Sequence, residues 1–128
     1  MILGIGCDLC DIRRIEELLQ NNQDAFLKKV FCESEIDRLS KRKLSESGFA
    51  KVFAAKEAVV KALGITENIS WQDIEIVKNA HGRPLVKLSG AADSLAANLA
   101  DGAYEIHLSL SDEYPYAMAY VIFQKIIT

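Results

Sequence analysis

The sequence predicts an α+β domain, and three observations carry that expectation. Helical spacing dominates the first half, where one apolar stripe runs through Phe49, Val52, Phe53, Val60 and Leu63. Alternation with a period of two dominates the second half, with Ile74 and Ile76 set against Asp73 and Glu75, and Ile106, Leu108 and Leu110 against polar neighbours. Turn residues separate these segments and no repeat or linker divides the 128 residues, so residues 1–128 read as one domain with antiparallel strands and its own core.

Taken in order, Ile2 to Cys7 reads as a strand, with Leu3, Ile5 and Cys7 on one side and Ile2, Gly4, Gly6 and Asp8 on the other. Glycine inside a strand often marks a place where a ligand or another backbone comes close. Asp11 is the expected N-cap of a helix whose inward side is Ile12, Ile15, Leu18 and Leu19, ended by Asn21-Asn22-Gln23. A helical turn follows around Phe26 to Phe31. Ser34-x-x-Asp37 has the form of a capping box opening a short helix through Leu39, and Lys41 to Ser47 is a polar connector. The long helix runs from Gly48 to Leu63, with Gly64 placed as its left-handed cap. Trp71 to Val77 is a strand, Asn79 to Pro84 a turn, and Leu85 to Leu88 the partner strand. Ser89 to Ala100 is an alanine-rich helix with Leu95 and Leu99 as its core pair. Tyr104 to Ser111 and Tyr116 to Phe123 form a closing hairpin around Asp112 to Pro115. The predicted order is β-ααα-ββ-α-ββ.

Composition narrows the function. The net charge of −3 argues against general nucleic-acid binding. No run approaches the roughly 20 apolar residues of a membrane span, and the start lacks a signal-peptide pattern, so the cytoplasm is the expected location. Cys7, Cys10 and Cys32 are an odd set without a zinc-type partner pattern and read as reduced thiols. Positive charge concentrates in the first third, at Arg13, Arg14, Lys28, Lys29, Arg38, Lys41, Arg42 and Lys43. On an acidic chain that asymmetry suggests an anionic partner, either a phosphorylated small molecule or an acidic protein.

The long helix carries charge where it should be apolar. With about 100° per residue and Phe53 at zero, Lys56 falls near −60°, inside the apolar arc, while Glu57 near +40° and Lys61 near +80° sit on its edge. A carboxylate there needs a cation or hydrogen bonds. An exposed Glu57–Lys61 pair would satisfy it, and so would a metal ion. Asp8, just past a glycine-bearing strand, and Asp112, at the end of another, are further carboxylates within reach of such chemistry. Mg²⁺ prefers oxygen ligands, often one or two carboxylates with water and substrate phosphates, and Lys61 could neutralise a phosphate beside it.

These residues carry a resemblance. Gly4-Ile5-Gly6-Cys7-Asp8, with Ile12 and Arg14, resembles the opening G-[IL]-G-x-D-x-x-x-I-x-R of the small bacterial holo-acyl-carrier-protein synthases, and Phe53 to Gly64 resembles their central F-A-x-K-E-A-x-x-K-A-x-G. Trp71 with Asp73-Ile74-Glu75, Gly82-x-Pro84, and His107-Leu108-Ser109-Leu110-Ser111 follow in the same order. The resemblance implies the 4′-phosphopantetheinyl transferase fold and a Mg²⁺-dependent transfer of phosphopantetheine from coenzyme A to a serine of apo-acyl-carrier-protein, in fatty acid biosynthesis. It implies Asp8 and Glu57 as metal ligands, Glu57 as the base and Lys61 as the phosphate contact. Lys56, Lys61, Gly64, Gly82, Arg83 and Pro84 would contact coenzyme A, and Arg13 and Arg14 an acidic carrier protein. It further implies a homotrimer with sites between subunits, so that Asp8 and Glu57 need not share a chain.

Three departures bear on those contacts. Val52 stands where many relatives carry arginine, Gly64-Ile65-Thr66-Glu67-Asn68 replaces a Thr-Gly loop, and Ser111-Asp112 replaces Ser-His. They motivate an alternative, a catalytically weakened module binding coenzyme A or carrier protein. Without the resemblance, the same carboxylates would also serve a metal-dependent phosphatase. Trp71 and His107 read as packing and strand residues, and His81 as a turn residue.

Overall fold

The structure is a computed structural model that describes residues 1–21, 24–65 and 67–127. The elements are β1 (Ile2–Asp11), α1 (Ile12–Gln20), α2 (Asp24–Val30), α3 (Glu33–Ser40), α4 (Ser45–Leu63), a 3₁₀ turn (Trp71–Asp73), β2 (Ile74–Lys78), β3 (Pro84–Leu88), α5 (Gly90–Ala100), β4 (Tyr104–Glu113) and β5 (Tyr116–Lys125). The α+β class stands, with one helix more than the predicted order: the turn around Phe26 is the separate helix α2. Asn22 and Gln23, expected to end α1, lie outside the described residues, while Asn21 closes that helix through its N–H to the Glu17 carbonyl at 3.0 Å.

The three-stranded antiparallel sheet has the order β1-β5-β4, and β2 pairs with β3 in a separate hairpin. Register sorts the large sheet into two unlike faces. Ile5, Cys7 and Leu9 stand opposite Ile122, Tyr120 and Met118, and this face is largely exposed. The other face presents Gly4, Gly6, Cys10, Ala117, Ala119, Val121 and Phe123, and α4 lies across it. Small residues also cover the helix: Ala50, Ala54, Ala55, Ala58 and Val59 are fully buried. Helix α4 is therefore enclosed on nearly all sides, and the expected one-sided stripe is too narrow a description. Phe49, Val52 and Leu63 are buried as expected, whereas Phe53 and Val60 are only partly covered.

Several local expectations move. β1 continues to Asp11 because its register with β5 runs on to Tyr116, which puts Asp8 inside the strand rather than past it. Cys7 and Cys10 consequently face opposite sides of the sheet, and all three cysteines are free. The capping box of α3 is Cys32 with Glu35, whose carboxylate accepts from the Cys32 N–H at 2.8 Å; Ser34 lies within the helix. Asp11 does cap α1, accepting from the Arg13 N–H at 3.0 Å. Leu18 stays half out of the core that Ile12 and Ile15 enter. Helix α5 buries Ala92, Ala96 and Ala100, leaving Leu99 exposed and Leu95 partly so, because the closely packed side admits only small residues.

Candidate active site

The glycines of β1 set the geometry. A Cβ on Gly4 would come within 2.0 Å of the Ala62 carbonyl oxygen, and one on Gly6 within 1.8 Å of the Ala58 carbonyl oxygen. Only strand residues without side chains let β1 lie directly on the backbone of α4. What comes close is therefore another backbone, and that approach brings Asp8 under the C-terminal half of the helix.

Lys61 bridges the gap. Its Nζ donates to Asp8 Oδ1 at 3.1 Å and to the Cys7 carbonyl at 2.9 Å, with the lysine about half exposed and Asp8 largely covered. Glu57 stands one turn earlier on the same helix. Burial chiefly, and then the negative charge of Asp8, raise its carboxyl above the ordinary carboxylate range, while Lys61 and Arg14 pull the other way. Asp8, Arg14, Glu57 and Lys61 thus form one electrostatic cluster within a single chain. Asp112 stays apart: it pairs with Lys51 at 3.0 Å.

Beside the cluster, Glu57 opens onto a cavity of about 300 Å³ walled by Val60, Ile69, Trp71 and Ile74. Trp71 packs its ring against Phe53 with centroids 5.7 Å apart, so the packing expected of it also shapes this wall. Among the described residues no third His, Cys, Asp or Glu joins the two carboxylates as a metal cluster. Two carboxylates are nonetheless a sufficient protein share for Mg²⁺, which keeps water and substrate phosphates as its remaining ligands. The donor set fits that ion and does not resemble a zinc site.

Lys56 requires a correction. Its side chain is fully buried, 2.8 Å from Glu35, and its ammonium donates to the carbonyl oxygens of Trp71, at 3.1 Å, and Ile74. Glu35 in turn accepts from the Ile76 N–H at 2.7 Å. An ammonium enclosed in this way cannot reach coenzyme A; it ties α3, α4 and the start of β2 together. Glu35 escaped sequence reasoning, and only its place at the third position of α3 hinted at a role.

The other expected contacts divide. Gly64 ends α4 in the left-handed conformation, φ 76°, and caps it through its N–H to the Val60 carbonyl. The loop beyond contains Thr66, which lies outside the described residues. Gly82 and Arg83 are in the β2–β3 turn and Pro84 opens β3, and the cavities that Arg83 and Pro84 line include none of Asp8, Glu57 or Lys61. One chain does not bring them to the carboxylates. Arg13 is held by its own N-cap, Nη2 to Asp11 Oδ2 at 2.6 Å, whereas Arg14 is exposed beside the cluster. His81 is exposed, and His107 is a strand residue 3.5 Å from Glu105.

The profile of the 4′-phosphopantetheinyl transferase superfamily matches residues 4–120. The chain belongs to that superfamily. It is 47% identical over 126 residues to the holo-[acyl-carrier-protein] synthase of Paramagnetospirillum magneticum, covering 95% of each chain. Among solved structures, the holo-[acyl-carrier-protein] synthase of Neisseria meningitidis superimposes with a TM-score of 0.84 at 32% identity, over 98% of this chain and all of that one. The Bacillus anthracis synthase in complex with coenzyme A (3′,5′-ADP) gives 0.79 at 31% identity, over 98% and 99% of the two chains. This member of the superfamily is an enzyme with the transferase fold, and among its described residues no helix is long and apolar enough to cross a membrane.

Proposed function

We propose that the chain moves the 4′-phosphopantetheine group of coenzyme A to a serine of apo-acyl-carrier-protein, releasing adenosine 3′,5′-bisphosphate. The observation that carries this reading is the convergence of Asp8, Glu57 and Lys61 in one chain. The serine Oγ forms a bond to the phosphorus nearest the pantetheine, the bond from that phosphorus to the bridging oxygen breaks, and the electron pair leaves with the bisphosphate. Phosphoryl transfer of this kind depends mainly on positioning and on neutralising charge. Asp8 and Glu57 would hold Mg²⁺, which when bound supplies positive charge to the diphosphate oxygens. Lys61, already at the carboxylates, meets the phosphate being transferred and offsets charge on the leaving group. Glu57 takes the serine proton, directly or through water; its raised pKa makes it a better base than an ordinary carboxylate.

The coenzyme A contacts at Gly82, Arg83 and Pro84 belong in this reading to a neighbouring protomer. An assembly that supplies them has a surface to use, since Ile5, Leu9, Tyr116, Met118 and Tyr120 stand exposed on one sheet face. We assign that face to a homotrimer. Arg14, with Arg13 and the basic residues nearby, receives the acidic carrier protein, and the setting is fatty acid biosynthesis in the cytoplasm.

Incubation with apo-carrier-protein, coenzyme A and Mg²⁺ tests the reading. The expected result is a carrier-protein mass gain of one phosphopantetheine. Coenzyme A binding without that gain would replace the transferase by a binding module. Bisphosphate release without carrier protein would replace it by a phosphatase.

A further inference from the structure

Lys61, which meets the phosphate in the proposed chemistry, is held elsewhere in the structure. Its Nζ donates to Asp8 Oδ1 at 3.1 Å and to the Cys7 carbonyl oxygen at 2.9 Å. Asp8 is largely covered, and among the described residues Lys61 is its one ion-pair partner. Glu57 has no cation within ion-pair distance among the described residues, although Lys61 and Arg14 both act on it through space. With both carboxylates ionised, the formal charges of Asp8, Glu57, Arg14 and Lys61 cancel. Such a cluster has little net attraction for a divalent cation or for a diphosphate arriving alone. The cation meets an ammonium already on Asp8, and the diphosphate meets two carboxylates. A cation joined to a diphosphate meets neither obstacle, because the cation takes the carboxylates while phosphate oxygens take the ammonium. Lys61 is able to make that exchange. Its side chain is about half exposed on a flexible four-carbon stem, and an ion pair with so exposed a partner is weak.

Taking Asp8 and Glu57 as the metal ligands of the transferase reading, we propose that Lys61 is a resident counter-cation at Asp8. It keeps a divalent ion off the carboxylates until a diphosphate draws the ammonium away, so that ion and diphosphate enter as a cooperative pair. The lysine therefore changes sides. At Asp8 it competes with the ion for carboxylate charge, and on the phosphate it adds to the ion's neutralisation of the same diphosphate. By linkage, the factor by which the diphosphate tightens the ion is the factor by which the ion tightens the diphosphate. A site built this way takes coenzyme A as its metal complex and leaves a bare ion in solution.

Mn²⁺, an oxygen-seeking ion whose unbound fraction electron paramagnetic resonance counts directly, tests the proposal with no carrier protein present and hence no turnover. Wild type, Lys61→Met, Lys61→Gln, Lys61→Arg and Asp8→Asn are titrated with and without coenzyme A, after subtraction of the Mn²⁺ that coenzyme A binds in buffer. Without coenzyme A, Lys61→Met and Lys61→Gln should bind Mn²⁺ roughly tenfold more tightly than wild type, the scale of removing one unit charge from beside a dication in largely aqueous surroundings. Lys61→Arg keeps the charge and should bind as weakly as wild type. Coenzyme A should tighten Mn²⁺ strongly in wild type, and by a factor roughly tenfold smaller in the two neutral variants. A gain in affinity is a result that a misfolded variant does not give. If the neutral variants bind bare Mn²⁺ no more tightly than wild type while Asp8→Asn loses the ion, the competition is overturned and the carboxylates remain the metal ligands. If Asp8→Asn binds Mn²⁺ as wild type does with coenzyme A present, the metal assignment falls and the proposal falls with it.

Discussion

Replacing Gly6 with alanine should cripple the site without touching any charged group. The new Cβ would stand 1.8 Å from the Ala58 carbonyl oxygen and 2.8 Å from its carbonyl carbon, both backbone atoms that no rotamer change can move. Ordinary contact begins near 3.4 Å, so β1 and α4 must part by about 1.5 Å. The Lys61 contacts to Asp8 and Cys7, at 3.1 and 2.9 Å, cannot survive that separation. Overpacking of this sort costs about 1–3 kcal/mol of stability. A misplacement near 1 Å in a positioning-dependent site costs about 10²-fold in rate, and we expect kcat/KM for phosphopantetheine transfer to fall by at least that much. Mass detection of modified carrier protein gives the rate, and urea unfolding gives the stability. The rate should be measured below the variant's Tm, with an unchanged m-value as the sign of a native-like fold. A variant with wild-type kcat/KM and wild-type stability would refute the glycine-set spacing.

Four further outcomes are expected. Lys56→Met leaves the Glu35 carboxylate buried without its cation, so urea unfolding should show a loss of about 3–5 kcal/mol; a loss under about 1 kcal/mol would mean that the pair does not tie the helices together. Glu57→Gln should lower the transfer rate by about 10³-fold or more, because the metal and proton roles proposed for it would go together. The same variant should be more stable than wild type in EDTA near neutral pH: a carboxyl whose pKa is raised by folding loses stability as pH climbs from its unfolded value through its folded one, and the amide has no such loss. Melting curves between pH 4 and 8, roughly the range from the free carboxyl upward, should converge at the acid end and separate at the neutral end. Met118→Glu, on the exposed sheet face, should turn the proposed trimer into monomers in light scattering, and an unchanged mass would move the interface elsewhere.

Much of the site was legible because its residues break a local pattern. Gly4 and Gly6 interrupt a strand, and Glu57 and Lys61 interrupt a helix, so each was visible without knowledge of the fold. Asp8 was equally visible but was placed past a strand that in fact continues, because its charge looked like an ending. Lys56 was legible as buried from its position in the apolar arc. Its purpose was not, since the partner, Glu35, lies on another helix and its hydrogen bonds end on the carbonyls of Trp71 and Ile74. In α5 the leucines promised the core, yet alanines fill it, because inward direction depends on how closely a neighbouring element approaches. Local chemistry shows in sequence; distances between elements do not.

Lys56 and Glu57 are consecutive on α4 and point about 100° apart. The first is sealed into Glu35 and two carbonyls, and that lock resists rotation of the helix about its own axis. Gly4 and Gly6 fix a different coordinate, the distance from the helix to the strand that carries Asp8. A carboxylate pair able to share one metal ion needs both coordinates held, since turning the helix would swing Glu57 away even at the right separation. The two segments therefore do complementary work: the glycine-bearing strand sets how near the carboxylates come, and the buried lysine sets which way one of them faces.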